Sequence, residues 1–300
     1  MKKLIITIDT EGDNLWSKRK EDAVETENSL FIPRFQELCE KYGFKPVYLT
    51  NYEMISDDRY VNYIKPKALA GLCEVGIHIH AWNNPPYYPL EGPYSGLPYL
   101  IEYPFDVMKE KFAVTYNLIK EKIGMPPLSH RSGRWAMNDD YFKLLEEFDV
   151  KVDCSYTPGI FWNTDPGVTV PCGSDYTTSP QSSFMVGNVL EVPTTNRRTR
   201  MSVEGTLKHR VEVFLRGKMV WLRPASVSLK EMINLINRVN KEPNTDYLEL
   251  MLHSSELMPG GSPYFKDMAS IEELYHTLEC LFSQVKELKY QGCRLCDYKR

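Results

Sequence analysis

Residues 74–80 read Glu-Val-Gly-Ile-His-Ile-His, a largely apolar run that holds two of the chain's six histidines. The run predicts a β-strand, and side chains two positions apart on a strand point to the same face. His78 and His80 therefore offer two imidazoles on one face near a strand end. Such a pair suits a divalent metal such as zinc. Two hydrogen-bonded polar residues beside a loop would give the same pattern.

A second segment of this kind lies near the start of the chain. Residues 5–11 read Ile-Ile-Thr-Ile-Asp-Thr-Glu, so a predicted strand ends in two carboxylates, Asp9 and Glu11, again two positions apart. Carboxylate oxygens and imidazole nitrogens are both zinc ligands. Two strands that end in such pairs favour a metal site over a chance pair of polar residues.

The bulk composition excludes several classes of function. The chain has 300 residues and a net charge of −4, which gives no general case for nucleic-acid binding. The apolar N-terminal stretch is broken by Thr7 and Asp9, too early for a signal peptide, and no apolar run approaches the ~18 residues of a membrane span. An odd number of cysteines, seven, suits a reducing compartment. We expect a cytoplasmic protein.

Strand and helix patterns alternate along the chain. Strands are predicted at 4–9, 46–50, 74–80, 129–132, 150–155, 189–193 and 247–254, with 293–298 closing the sheet. Seven or eight strand–helix units without a composition break predict an α/β fold, a single distorted TIM-like (β/α)7-8 barrel over residues 1–300. A doubly wound open sheet is the alternative. No Gly-x-Gly-x-x-Gly or Walker loop supports a nucleotide cofactor.

Polar residues cluster at the carboxyl ends of the predicted strands, where parallel barrels gather functional groups. Both signs of charge and several imidazoles in one set indicate a metal with acid and base groups around it. The set comprises Asp9, Glu11, His78, His80, Arg131, Arg134, Asp153, Glu191 and His253.

Five segments follow one another along the chain: Thr-Ile-Asp-Thr-Glu-Gly at 7–12, the stretch 74–80, His-Arg-Ser-Gly-Arg-Trp at 130–135, Val-Asp-Cys-Ser at 152–155 and Leu-Met-Leu-His-Ser at 250–254. In this order they resemble the motifs of the polysaccharide deacetylase family, the NodB-homology domain of carbohydrate esterase family 4. Asp-Thr-Glu-Gly-Asp together with His-x-His resembles the WalW-type subgroup, which is linked with surface-polysaccharide or lipopolysaccharide biosynthesis. The resemblance implies a NodB-type barrel.

The chain departs from the family pattern at two metal ligands. The family's second aspartate corresponds to Thr10, and its second histidine corresponds to Trp82. Either the metal is lost or the ligands have moved, and we favour Glu11, His78 and His80 as the moved ligands. Asp13 is a rival carboxylate, and Asp9 could itself be a ligand. Zinc is the expected metal, with cobalt or nickel possible.

The resemblance implies metal-assisted hydrolysis of an N-acyl amide. Asp9 would act as general base, Arg131 would hold Asp9 ionised, and His253 would protonate the departing amine. Asp153 would orient Arg131 or His253, or form a structural salt bridge. We expect Arg134 and Glu191 at the edge of the site. Trp82 belongs to a long loop, 81–105, that would supply stacking platforms for a sugar ring or a hydrophobic lid.

The implied substrate is an N-acetylated amino sugar in a polysaccharide, a surface glycan or a lipid-linked precursor. The alternatives are a catalytically inactive carbohydrate-binding barrel, and a deformylase or other amide C–N hydrolase on the same fold. One basic patch is either a solvated face or a contact with phosphate, in a linked sugar or at an anionic membrane surface. Its residues are Arg197, Arg198, Arg200, Lys208, Arg210, Arg216 and Lys218.

Overall fold

Strands and helices alternate along the chain, as the sequence predicts. A computed structural model describes residues 2–13, 15, 24–200, 206–225 and 227–299. The elements in chain order are β1 (Lys3–Thr10), α1 (Ile32–Tyr42), β2 (Val47–Thr50), α2 (Tyr52–Ser56), α3 (Asp58–Leu69), β3 (Glu74–Ile79), α4 (Phe105–Ile123), β4 (Ser129–Ser132), α5 (Asp139–Glu147), β5 (Val152–Asp153), β6 (Phe184–Val186), β7 (Val189–Glu191), β8 (Asn196–Thr199), α6 (Leu207–Arg216), β9 (Lys218–Trp221), α7 (Leu229–Val239), β10 (Tyr247–His253), α8 (Met268–Glu287) and β11 (Gln291–Gly292).

The main sheet brings the predicted functional strand ends to one edge. Its parallel strands lie in the order β10, β1, β2, β3, β4, β5, β7, and β6 joins β7 in the antiparallel sense. The register pairs Asp9 with His253 and His78 with Arg131. Because the strands are parallel, their polar carboxyl ends meet at the same side of the sheet.

Alternation along the strands creates two apolar cores. Leu4, Ile6 and Ile8 of β1 point outward and pack in the large core beneath the helices. Ile5 points to the opposite face and joins a smaller inner core with side chains from β2, β5 and β10. The sheet therefore curls around an inner core and is covered by helices outside, which confirms the predicted α/β barrel.

The gap between β7 and β10 is bridged by irregular chain. The Tyr247 hydroxyl donates to the carbonyl oxygen of Pro193 at 2.8 Å, and the Glu249 N–H donates to Thr195 Oγ1 at 2.8 Å. The second bond satisfies a backbone donor of β10 that a neighbouring strand would pair in a closed barrel. The barrel is therefore distorted at this side, as predicted.

Helix ends follow local signals in the sequence. Asn138 precedes α5, and its side-chain oxygen accepts from the Tyr141 N–H at 2.8 Å. Gly43 follows α1 with a left-handed φ of 73°, a conformation that glycine adopts readily at the end of a helix.

The predicted closing strand at 293–298 is wrong. Among these C-terminal residues, β11 at Gln291–Gly292 pairs with β1, and Leu295–Asp297 form a 3-10 helix. Cys293, Leu295 and Tyr298 belong to the inner core instead. The apolar residues of this segment therefore fill the interior of the barrel and add no strand to the sheet.

The basic patch is also rearranged relative to expectation. Arg197 is buried within β8, and its Nη2 lies 2.6 Å from Glu242 Oε2. A buried cation needs such a partner, so Arg197 is not part of an exposed basic surface. Residues 201–205, which follow Arg200 in the sequence, lie outside the described residues. Among the described helices, none is long and apolar enough to cross a membrane.

Candidate metal centre

Glu11, His78 and His80 converge at the carboxyl ends of β1 and β3. Glu11 Oε2 lies 2.8 Å from His80 Nε2 and 3.5 Å from His78 Nε2. The two Nε2 atoms are 3.0 Å apart, and all three side chains are buried. Among the described residues, these form the one group of histidine, cysteine or carboxylate side chains close enough to share a metal ion.

The donor set fits a tetrahedral metal. Ligand atoms bonded at about 2.0–2.1 Å to tetrahedral zinc lie about 3.3 Å from one another, close to the separations found here. His78 Nδ1 is 2.8 Å from the carbonyl oxygen of Arg131. A carbonyl only accepts, so Nδ1 carries the proton and the Nε2 lone pair points toward the other two groups.

Electrostatics keep the Glu11 carboxylate charged. Burial raises the pKa of Glu11, but hydrogen bonds from His78 and His80 outweigh it and hold the pKa well below its usual range. Burial lowers the pKa of His80. Burial also acts against protonation of His78, yet nearby Asp9 and Glu11 raise its pKa above the ordinary value. A divalent cation would replace the protons that this cluster attracts.

The two rival carboxylates, Asp13 and Asp9, have other hydrogen-bond partners. The oxygens of Asp13 accept from the backbone N–H groups of Glu27 at 2.7 Å and Asn28 at 3.0 Å. Glu27 and Asn28 are the first residues of a 3-10 helix. Asp9 Oδ1 accepts from Arg131 at 2.7 Å. Glu11 is therefore the carboxylate whose oxygen lies within reach of both histidines.

Arg131 is a fully buried cation between two carboxylates. Nη1 donates to Asp9 Oδ1, and Nη2 donates to Glu249 Oε1 at 2.6 Å and to Thr7 Oγ1 at 2.8 Å. Nε donates to the carbonyl oxygen of Cys154 at 3.1 Å. The guanidinium is held from three sides, so it can fix the orientation of Asp9.

The same cation sets the charge of Asp9. Burial raises the pKa of Asp9, and the Arg131 guanidinium, with smaller contributions from His78 and His253, brings the pKa below its usual value. Burial raises the pKa of Glu249, and this effect is larger than the lowering of the pKa by Arg131. Asp9 is therefore the ionised carboxylate next to the three candidate ligands.

His253 faces Asp9 with one ring nitrogen and Arg223 with the other. Its Nε2 is 3.8 Å from Asp9 Oδ2 and 4.0 Å from Glu11 Oε1. Arg223 Nη2 lies 3.0 Å from His253 Nδ1 and also donates to Glu256 Oε1 at 2.7 Å. Arginine can only donate, so Nδ1 accepts and the proton of the neutral ring is on Nε2. His253 thus points an N–H group toward Asp9.

Asp153 forms a structural ion pair, one of the two roles expected for it, whereas Glu191 does not lie at the edge of the site. Asp153 contacts neither Arg131 nor His253; its Oδ1 lies 2.6 Å from His130 Nδ1. Burial raises the pKa of Glu191 well above its usual value, and nearby Asp153 raises it further. Both carboxyls are fully buried outside the cavity of the candidate site. Alternation on β4 explains this, because His130 and Arg131 point to opposite faces.

A cavity of about 220 Å³ opens over the candidate centre. Its lining combines acid, base and aromatic groups: Asp9, Glu11, His78, His80, Ser132, Arg134, Trp135, Trp162, Asp165, Arg223 and His253. The rings of Trp135 and Trp162 are nearly parallel, with 8° between their planes and 6.2 Å between centroids. Two aromatic faces beside polar groups suit a ligand with both apolar and hydroxyl-bearing surfaces.

Arg134 borders the cavity, whereas Trp82 does not. Arg134 lies at its edge, with Nη2 2.5 Å from Asp165 Oδ1 and its guanidinium 3.9 Å from the centre of the Tyr99 ring. Arg134 and Trp135 have left-handed φ values of 56° and 61°, which is strained backbone for residues with a side chain. Trp82 packs on the His80 ring, 4.5 Å between centroids, and is not part of the lining.

Several residues in or beside the site were not among the sequence predictions. Glu249 precedes His253 by four positions on β10, so alternation puts both on one face; a charged residue in an apolar strand was the available signal. Trp162 and Asp165 come from the second long loop, 156–187, and such loops are commonly functional. Arg223 follows the short strand β9, and no pattern in the sequence singles it out.

Comparisons with known proteins give a likeness in fold. No protein-family model matches the chain, and no curated protein matches it. The 4-alpha-glucanotransferase from Thermococcus litoralis is similar with a TM-score of 0.51 and 11% identity, over 97% of this chain and 37% of that chain. A family 4 acetyl xylan esterase from Clostridium thermocellum, in complex with a cobalt ion, has a TM-score of 0.47 and 13% identity, over 98% and 88% of the two chains. At these identities the likeness concerns the barrel fold.

Proposed function

We propose that this protein is a divalent-metal-dependent hydrolase that removes an N-acetyl or other N-acyl group from an amino sugar. The observation that carries the proposal is the Glu11, His78 and His80 cluster beside the Asp9–Arg131 pair and the His253 N–H. The five motifs described above support membership of the polysaccharide deacetylase family. With the WalW-type resemblance, they favour a surface glycan or its lipid-linked precursor as the substrate.

Glu11, His78 and His80 would hold the metal. A bound divalent metal, zinc by preference, supplies Lewis-acid activation of water and of an acyl carbonyl. Asp9 is ionised because Arg131 lowers its pKa, so its free oxygen, Oδ2, can accept a proton from the attacking water. Arg131 holds Oδ1 and prevents the carboxylate from rotating away.

His253 is suited to the leaving group. Its Nε2 carries a proton, faces Asp9 across the cavity and lies on the strand next to β1. When the ring is protonated, the imidazolium would donate its Nε2 proton to the amine nitrogen as the C–N bond breaks and return to neutral imidazole. Trp135 and Trp162 would contact the sugar face, and Arg134 with Asp165 would bound the ring at the edge of the cavity.

Acetate release from N-acetylated amino sugars tests the proposal. We expect zinc-loaded protein to release acetate and Asp9→Asn to lose activity by a factor of about 10²–10⁴, because general base catalysis contributes that much. Asp140→Asn is a matched control, since the Asp140 side chain is half-exposed and pairs with Lys143 on α5.

The alternative functions predict different results. Formate release without acetate release would contradict the deacetylase proposal in favour of a deformylase. Sugar binding without metal or turnover would contradict it in favour of an inactive binding barrel. Full activity in Asp9→Asn would contradict the role of Asp9.

A further inference from the structure

The helix α6 turns an apolar face to solvent. Leu207, Val211, Phe214 and Leu215 are 78%, 50%, 64% and 68% exposed. Val213 is the buried apolar residue of this helix. Single exposed apolar residues are normal on a protein surface, but contiguous patches mark interaction sites. Elsewhere in the described ranges, exposed Leu69 and Met185 lie on separate elements.

The four exposed residues form one stripe along the helix. Positions i, i+4, i+7 and i+8 lie within an arc of about 100° on a helix with 3.6 residues per turn. Val213 lies on the opposite side and contacts the protein body. The helix is thus amphipathic with its wider apolar face pointing outward, the reverse of a surface helix that packs on its own core.

Positive charges border this stripe on both sides. Lys208 and Arg210 flank the arc at about 100° and 300° on the same wheel, and both are exposed. Arg198, Arg200 and Arg216 are exposed nearby, and Glu212 is the described acidic residue on the helix. The net charge of the whole chain is −4, so this concentration of positive charge is local.

We propose that α6 docks the protein on an anionic membrane surface. The apolar stripe enters the boundary between headgroups and acyl chains, and Lys208 and Arg210 contact anionic headgroups at its two sides. A basic amphipathic helix that lies in the interface plane has this arrangement of apolar and charged residues.

The flanking charges argue against a second copy as the occupant. Two α6 helices packed face to face by a two-fold axis would bring Lys208 and Arg210 of one copy near those of the other. Like charges at an interface cost binding energy. An anionic surface instead complements both flanks at once.

The docking helix is connected directly to the candidate site. Arg216 ends α6, β9 follows, and Arg223 lines the cavity. Seven extended residues span at most about 25 Å. Membrane docking would therefore hold the cavity near the headgroup region, which goes beyond the proposed deacetylase activity and does not depend on it.

Vesicle co-sedimentation tests this proposal. We expect binding to phosphatidylcholine vesicles that contain roughly one-third phosphatidylglycerol, weaker binding to pure phosphatidylcholine, and weaker binding at high salt. Lys208→Gln with Arg210→Gln should weaken binding about 30-fold, at about 1 kcal/mol for each positive charge near the surface. Phe214→Ser with Leu215→Ser should weaken it at least tenfold.

Leu69→Ser is the matched control, because Leu69 is 56% exposed on a different helix; it should bind as the wild type does. Unchanged circular dichroism and melting temperature show that each variant is folded. No sedimentation of the wild type, or equal binding of all variants, would overturn the proposal. A dimer that Phe214→Ser dissociates, with no vesicle binding, would overturn it in favour of self-association. Acetate release from a water-soluble substrate should be the same in these variants, so failure here is distinct from failure of the deacetylase proposal.

Discussion

At the scale of single residues, Arg131 determines the charge pattern of the candidate site. Its guanidinium is fully buried and bonded to Asp9, Glu249, Thr7 and a carbonyl oxygen. Removing one partner of a buried ion pair is costly, because it leaves an uncompensated charge in the interior. Arg131 therefore contributes to folding as well as to the orientation of Asp9.

We expect Arg131→Met to lower the free energy of unfolding by about 3–5 kcal/mol at pH 7. In the wild type, the lowered pKa of Asp9 gives stability that is present above its unfolded pKa of about 3.9 and is lost as the pH falls below it. In the variant, the carboxylates that Arg131 contacted are buried without a cation, and protonating them removes that uncompensated charge. The difference between the two proteins should therefore shrink from pH 7 to pH 5, as measured by urea unfolding.

Arg34→Met is the control for this prediction. Arg34 forms a two-pronged pair with Glu272, but both side chains are about half exposed. Exposed ion pairs contribute about 0–1 kcal/mol, so this variant should stay close to the wild type. An equal loss in both variants would contradict the role of burial.

The Arg223 side chain should decide the tautomer of His253. In the wild type, Arg223 donates to Nδ1, so the neutral ring carries its proton on Nε2. In Arg223→Met, Glu256 Oε1, which is 3.5 Å from Nδ1, becomes the remaining partner and accepts only. We expect the proton to move to Nδ1, visible in the ¹⁵N shifts of the imidazole, and kcat to fall with little change in metal content. An unchanged tautomer would refute this assignment.

Whether a site residue could be predicted depends on how far away in the sequence its contact partners lie. Asp9, His78 and His80 stand out because two polar groups recur at period two in apolar strands. The bond between Arg223 and His253 joins an irregular loop to a strand end, and local patterns carry no information about it. For Asp153 the sequence leaves open an orienting role and a structural salt bridge, and the structure pairs it with His130 because His130 and Arg131 point to opposite faces of β4.

At the scale of elements, the approach of β3 and β4 fixes the histidine pair. Gly133 follows β4, and a Cβ there would lie 2.4 Å from the carbonyl oxygen of Ile79 and 2.6 Å from His80 Nδ1. No side chain fits in this space without moving the end of β3. The glycine in the third motif thus permits the strand ends to come together.

We expect Gly133→Ala to weaken zinc binding about 10- to 100-fold, the range for groups that position metal ligands. Zinc titration against a competing chelator measures it. Gly43→Ala is the control: it has a left-handed φ of 73° with no atom near the added Cβ, so it should lose about 1 kcal/mol of stability and keep zinc affinity. Equal affinities in the two variants would contradict the close approach of Gly133.

The regular strands and helices were predictable because their apolar periodicity is strong. β6 and β8 were not, since each is short and forms by pairing with a neighbour rather than by its own pattern. The segment 293–298 was expected to close the sheet, but Leu295 is fully buried in the inner core instead. Tertiary burial overrides local propensity there.

At the scale of the whole molecule, a metal would link the ends of β1 and β3 across β2. Glu11 and the two histidines are 67 and 69 positions apart in sequence, so binding would stabilise the folded barrel and not the unfolded chain. At a hundredfold excess over Kd this is worth about 2.7 kcal/mol, or about 5 °C in Tm for this length. Differential scanning calorimetry with zinc and with EDTA measures the shift, and no shift would contradict it.

The most direct test of the account is the amount of zinc bound per chain after dialysis, measured for the wild type and for His78→Ala with His80→Ala. The geometry of Glu11, His78 and His80 predicts close to one zinc per wild-type chain and almost none in the double variant. A wild type that binds no zinc, cobalt or nickel, or a double variant that still binds one equivalent, would contradict the proposed centre.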